Sequence, residues 1–289
     1  MSVAPTSISR FRRISMRPTR QHRALVAGGV ISFIAILLAI IGPWITPYSA
    51  TSGTAAAQLL PPSRAHLFGT DSVGLDVFSR VIAAPRIDLT IALMSTLLAL
   101  FIGTLIGAAA GYYRNIWSEI LMRVSDLVQS FPVFILALAT SVVAGHNLSG
   151  IIFVIAFVNA PIYVRLVRAQ VLSLRERTFI EAAEALGEQG FQVIFRHLIP
   201  NTLAPIFAQA SITVGFAMLL TAGLSFVGAG VRVPTPEWGS MIAIGGSNIV
   251  TGQWWPSLFP GLALSVTVFG FALLGDALAG FFDPQGRRS

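Results

Sequence analysis

The sequence predicts an all-α polytopic membrane protein with six transmembrane helices. Three observations carry this. Of 289 residues, 54% are hydrophobic and only 11% are charged, where a soluble chain averages about 25% charged. The mean hydropathy is +0.76. Residues free of Asp, Glu and Arg gather into long stretches at 24–63, 89–113, 127–164, 197–231 and 238–275. This composition excludes disorder, which needs few apolar residues, and a soluble enzyme, whose surface needs more charge.

A helix crosses the hydrocarbon core in about 20 apolar residues. The first stretch supplies one span at 24–46. Its apolar run is longer than the 7–15 residues of a signal peptide, so the span is read as uncleaved. The second stretch supplies 89–112. The third is too long for one span, and Gly145, His146 and Asn147 divide it into a tight hairpin of 124–144 and 148–168. The fourth and fifth supply 202–228 and 257–280.

Arginine sets the orientation. The first tail carries Arg10, Arg12, Arg13, Arg17, Arg20 and Arg23, and the loops on the same side carry Arg114, Arg123, Arg165, Arg168, Arg175, Arg177 and Arg196. With Arg287 and Arg288 that side holds 15 arginines, against 4 on the other (Arg64, Arg80, Arg86, Arg232). Both termini are expected in the cytoplasm. The net charge of +7 therefore marks a membrane side and no nucleic acid.

The chain has no cysteine and no lysine. That excludes disulfides, thiol nucleophiles, cysteine-ligated metals and a Walker A loop, whose lysine reaches the nucleotide phosphates. No metal-ligand spacing, H-E-x-x-H or G-x-S-x-G is present, so neither a metal nor a cofactor is expected. Asp126 and Asp276 lie near span ends. There they read as caps or arginine partners (Asp126 with Arg123) before they read as a proton relay.

The 169–199 loop is the most informative segment. Glu181, Glu184 and Glu188 are spaced as one helical face, with Phe179, Ile180, Ala183 and Leu186 on the other side. Gly187 and Gly190 interrupt the helix, a second amphipathic stretch runs over 191–198, and Pro200 is expected to end it. Two short helices with a glycine joint form a partly acidic knob. Helices that rest on lipid are usually basic, so a protein partner fits this knob better.

On the other side, Gly69-Thr70-Asp71 reads as a turn, and Asp71, Asp76 and Arg80 as caps or pairs on a short solvated helix packed on the spans. Trp238, Trp254 and Trp255 fit an aromatic belt, although the last two also fit an entry vestibule. In the fifth span Gln209, Ser211, Thr213, Thr221 and Ser225 either join helices or line a wet path. Gln209, Thr213, Thr221 and Ser225 are the candidates for a path taken by a polar solute.

Glu181-Ala182-Ala183, then Gly187, and later Ile199-Pro200 resemble the EAA motif of ABC importer permeases. Arg196-His197-x-x-Pro200-Asn201 is similar to the form found in the dipeptide/oligopeptide (and nickel) subfamily. So are His66-x-x-Gly69-Thr70-Asp71-x-x-Gly74-x-Asp76, Arg123-x-x-Asp126 with Phe131-Pro132, Gly223-Leu224-Ser225-Phe226-x-Gly228, Pro234-x-Pro236-x-Trp238-Gly239-x-Met241 and Leu274-Gly275-Asp276. The ordered series resembles the second, C-type permease of such systems. Four positions depart from that pattern: Leu75 stands for an arginine, Ala84-Pro85 for Gly-Ala, His197 for the isoleucine of the general motif, and Thr221 for a common glutamate.

The resemblance implies a type-1 (type I importer) permease fold in a bacterial inner membrane. It implies a heterodimer with a sister permease, one or two types of P-loop ATPase subunit below and a solute-binding protein outside. The expected layout is an arginine-rich tail, first helix and outer segment at 1–85, a core domain at 86–280 with coupling helices at about 172–198, and a tail at 281–289. Glu181, Ala182, Ala183, Gly187, Arg196, His197 and Pro200 would couple to the ATPase, Glu181 by pairing with it and Gly187 by allowing the turn. The chain itself would be no enzyme. The implied solute is a di- or oligopeptide, with nickel chelates, glutathione, opines and sugars as alternatives inside the family. A transporter driven by an ion gradient is the rival class. It predicts paired charges inside the membrane and leaves the knob without a purpose.

Overall fold

The computed structural model describes residues 18–145 and 147–282. His146, the arginines up to Arg17, Arg287 and Arg288 lie outside the described residues. Eleven α-helices follow one another, and no strand occurs among the described residues: α1 Pro18–Ile45, α2 Val77–Ala83, α3 Pro85–Tyr113, α4 Ile116–Ser130, α5 Val133–Ala144, α6 Leu148–Arg175, α7 Thr178–Ala185, α8 Gly190–Val193, α9 Ile199–Phe226, α10 Trp238–Gly246 and α11 Trp255–Phe282. Among the described residues five helical rods are long and apolar enough to cross a membrane, and the bent pair α4–α5 reaches that length only when its two helices are taken together.

That pair corrects the expected straight third span. α4 and α5 meet at 99°. Phe131 is extended (φ −85°, ψ 143°), because the ring of Pro132 disfavours helical geometry in the residue before it. α5 has 12 residues, about 18 Å of helix, too short alone for a core of about 30 Å. The hairpin turn falls where expected. Gly145 has φ +83°, and the Asn147 side chain caps α6 by accepting from Gly150 N at 2.6 Å.

A second correction concerns Pro200, which does not end a helix. Residues 194–198 form a π turn that runs from α8 straight into α9, giving one continuous rod at Gly190–Phe226. Ile199 N donates to Ile194 O, five residues back. Proline has no N–H to place in an α-helical ladder, and the wider turn takes up the change of register just before it.

The centre of the bundle is the α3–α6 pair. Gly103, Gly107 and Gly111 stand one turn apart on α3. A Cβ on Gly103 would lie 2.5 Å from Tyr163 Cβ, one on Gly107 2.6 Å from Val164 O, and one on Gly111 2.8 Å from Val171 Cγ1. In lipid the apolar environment is the same on both sides of a helix, so helices associate by close packing. Small residues at four-residue spacing permit it. α9 packs similarly on α11: a Cβ on Gly275 would meet Ile212, and Ser211 Oγ donates to Phe271 O at 2.8 Å.

Residues 46–84 and 227–254 pack into a cap at one end. The expected solvated helix α2 is buried here. Asp76 caps it by accepting from Ser79 N at 2.8 Å and pairs with His66 Nδ1 at 2.9 Å. Asp71 accepts from Val73 N and Leu75 N. Arg80, 1% exposed, donates to Ala50 O and Pro234 O and lies 3.9 Å from Asp71. Trp238 Nε1 donates to Val81 O and ties the two halves of the cap together, and Trp255 Nε1 donates to Thr70 O and ties the cap to the start of α11. Trp254, by contrast, is exposed, as an aromatic belt requires.

Gly107→Leu is expected to abolish a monodisperse, folded permease in detergent. Gly29→Leu on α1, where a Cβ meets nothing within 4 Å, is expected to leave it intact. Fluorescence-detected size exclusion of the two variants checks this.

Candidate functional site

The opposite end of the bundle carries the knob predicted from 172–198. α7 ends in a Schellman turn: Gly187 N donates to Glu184 O, Glu188 N to Ala183 O, and Gly187 takes φ +86°. Only glycine enters that conformation without strain. Nothing lies within 4 Å of where its Cβ would be, so the requirement is one of backbone conformation and not of space. Gln189 and Gln192 then form a capping box at the start of α8.

The knob divides into a buried and an exposed set, and the division differs from the expected faces. Ile180 and Ala183 are buried. Ile180 joins Val193, Ile194 and Leu198 in a cluster that continues into the bundle through Val167, Val171 and Ile206. Phe179, Leu186, Phe191 and Phe195 project outward, Leu186 with 87% exposure. The Phe191 and Phe195 rings touch, with centroids 4.5 Å apart. An apolar patch at the tip of a polar segment marks an interaction surface.

The three glutamates do not share a face, because α7 ends at Ala185, ahead of Glu188. Glu181 is exposed on α7, beside exposed Ala182. Glu184 accepts from the Tyr112 hydroxyl at 2.9 Å. Glu188 turns toward α9 instead, pairing with His197 Nε2 at 2.8 Å and Arg196 at 3.4 Å. The acid thus fastens the turn after α7 to the π turn before α9. Asn201 Nδ2 donates to His197 O at 2.6 Å, and Pro200 is exposed beside it.

Tyr112, at the end of α3, is the residue that sequence reasoning missed. Its ring meets the α carbon of Gly190 so closely that a Cβ there would fall 2.6 Å from Tyr112 Cε1. Arg175 at the end of α6 donates to Tyr112 O and lies over the same ring at 5.3 Å. Arg114 pairs with Glu176 at 3.3 Å. The tyrosines after the third glycine of α3 were the available signal: an aromatic at a span end beside a basic loop. Further down α6, Arg165 pairs with Asp126 at 2.6 Å, so the partner of Asp126 is Arg165 and not Arg123. Asp276 is exposed on α11.

The polar residues of α9 sit differently. Thr213, Thr221 and Ser225 are buried within the chain. The first two donate to carbonyls one turn back, and Ser225 Oγ accepts from Val231 N. Gln209 is half-buried and donates to Thr213. Two carboxylates unforeseen in the sequence are fully enclosed at the other end. Glu237, 0% exposed, accepts from Gly239 N and Ser240 N, and Asp88 accepts from Trp238 N. Together they satisfy three successive N–H groups at the start of α10. Among the described residues no group of acids and histidines is arranged to hold a metal ion.

Comparison with known proteins agrees with this architecture. Residues 103–288 match the family described as binding-protein-dependent transport system inner membrane component. Residues 9–62 match the N-terminal TM domain of oligopeptide transport permease C. The dipeptide transport system permease protein DppC of Alkalihalophilus pseudofirmus is 37% identical over 280 residues, covering 97% of this chain and 91% of that one. The probable D,D-dipeptide transport system permease protein DdpC of Escherichia coli is 38% identical over 260 residues, covering 90% and 87%. The glutathione transport system permease protein GsiD of Pectobacterium atrosepticum is 36% identical over 276 residues, covering 95% and 91%.

Glu188→Ala is expected to loosen the knob without unfolding the bundle. Tryptic cleavage within 175–196 should accelerate about two- to fivefold in detergent, the scale of a part-exposed ion pair. Glu181→Ala should leave the cleavage rate unchanged. Time courses followed by intact-mass analysis read both.

Proposed function

The chain belongs to the binding-protein-dependent transport system inner membrane component family, and we propose that it carries di- or oligopeptides as one half of a heterodimeric translocation pathway. It is a multi-pass inner-membrane permease subunit of an ABC importer and not an enzyme. ATP hydrolysis belongs to ATPase subunits, and solute reaches the importer on a binding protein. In our reading a homologous sister permease completes the pathway. In our reading the termini and the knob face the cytoplasm, the side that the arginine bias favours.

The observation that carries the reading is the construction of the knob. Its tip is apolar and exposed, while buried Ile180 roots it in the packing of α3, α6 and α9 and Ala183 is buried beside it on α7. Such an element suits a groove in an ATPase subunit and transmits movement there to the spans. We assign the contact to Glu181, Ala182 and the Gly187 turn. Ala183, Arg196, His197 and Pro200 support it from behind, through the buried contacts and the Glu188 pairs. Among the residues of α9, half-buried Gln209 is our candidate for the path. Thr213, Thr221 and Ser225 serve there only if the pathway opens between α9 and its neighbours. Two relatives are named for dipeptides, which supports the peptide reading. A third, named for glutathione, supports a tripeptide-like thiol as the second reading.

The test is ATPase activity of the assembled importer in nanodiscs, with the binding protein added empty or loaded with a dipeptide. Stimulation by the dipeptide-loaded form alone is expected. Gly187→Val forces a branched residue into positive φ and is expected to reduce that stimulation at least tenfold while the subunits still co-purify. Full stimulation in this variant would remove the knob from the coupling mechanism.

A further inference from the structure

Asn159 stands out among the side chains that span the bundle. It is 0% exposed, on α6, and neither Oδ1 nor Nδ2 has a hydrogen-bond partner among the described residues. Burying an amide with both groups unpaired is strongly unfavourable, and native chains keep few of them. A leucine, branched at the same atom, would avoid the loss. An amide in this place is therefore matched by a partner that the isolated chain does not contain.

The structure shows where that partner would enter. Asn159 lies in the floor of a cleft of about 280 Å³ at the break between α4 and α5. Phe131, Val133 and Leu136 wall one side and Phe216 of α9 the other, with Gln129 as the second amide. The cleft has no charged residue in its lining. Two amides in an apolar, uncharged cleft fit one chemistry well. The C=O and NH₂ of an asparagine side chain complement the N–H and C=O of a peptide group. Without a fixed charge, the site binds briefly and releases.

We propose that Asn159 hydrogen-bonds the backbone amide of the solute as it passes, making it a specificity-determining residue of the translocation path, with Gln129 as its second contact. The proposal rests on the peptide reading given above and names the group that reads the peptide. Wider opening of the α4–α5 bend against α6 and α9 would bring the amide into reach.

The experiment compares uptake of alanyl-alanine with its analogue methylated at the peptide nitrogen, in proteoliposomes holding the complete importer and one binding protein. Methylation removes the N–H that Asn159 Oδ1 would accept. The ratio of the two kcat/KM values is read for wild type, Asn159→Leu and Gln129→Leu, so that yield and selection by the binding protein cancel. Wild type is expected to favour the unmethylated peptide. Asn159→Leu should shrink that preference about fivefold, the worth of one net hydrogen bond. Asn159→Ala replaces it if the leucine variant does not assemble. A ratio within twofold of wild type in an active variant overturns the proposal, and the amide then pairs with the sister subunit or with water. Failure of wild type to import either dipeptide instead sinks the dipeptide reading. The same ratio is then taken with glutathione and its form methylated at the cysteinyl-glycine bond, where an unchanged ratio again overturns the role of Asn159.

Discussion

The close contact of α3 with α6 is the constraint on which the rest of the molecule depends. Three glycines one turn apart bring the two backbones together, and this sets the relative height of the helix ends. At one end, Tyr112 of α3 and Arg175 of α6 meet, and the knob is built upon that meeting through Glu184 and Gly190. At the other end, α3 presents Asp88 to the start of α10. A larger residue at any of the three glycines would separate the helices and shift both ends together. The packing of the bundle and the placement of the knob are therefore one problem with one solution.

The two ends answer opposite demands. The cap over 46–84 and 227–254 is held by buried polar groups that are nearly all satisfied within the chain: Arg80 on two carbonyls, Asp76 on a helix start, Glu237 on two N–H groups. Such groups are costly to expose and fix a single arrangement. The knob has few buried polar groups and keeps Phe179, Leu186 and Phe191 in the open. Besides its footing on Tyr112, its order comes from a Schellman turn, a capping box and the pairs of Glu188, all formed over short sequence distances. A closed end and an open end on one bundle suit a chain that meets partners by one face of each end.

Much of this was legible in the sequence. Span positions followed from charge-free stretches because lipid forbids unpaired charge, and the rule is nearly local. The Gly187 turn was legible because only glycine enters that conformation easily. Four features were not legible, each for a physical reason. Phe131-Pro132 reads as a pause in an apolar run, because a proline breaks the helix without saying by how much the axis turns. Pro200 reads as a stop, yet a π turn absorbs the missing N–H. Glu188 has helical spacing with Glu181 and Glu184, but the turn redirects it to His197. Asp88 and Glu237 lie 149 positions apart, and only the fold brings them to the same helix start. Glycines at four-residue spacing in α3 were present in the sequence and sufficient to predict its partner face.

The unbroken rod at Gly190–Phe226 has a mechanical meaning. It rests on α11 at Ala208, Ser211 and Ile212, where Gly275 lets the backbones come close. The arm from Phe191 to Ile212 is about 32 Å and the arm from Ile212 to Phe226 about 21 Å. A rigid tilt about that crossing would carry a sideways excursion at Phe191 to Phe226 reversed in direction and reduced to about two thirds. Any such tilt would trade distance for force and join a movement at the knob to an opposite movement at the far end.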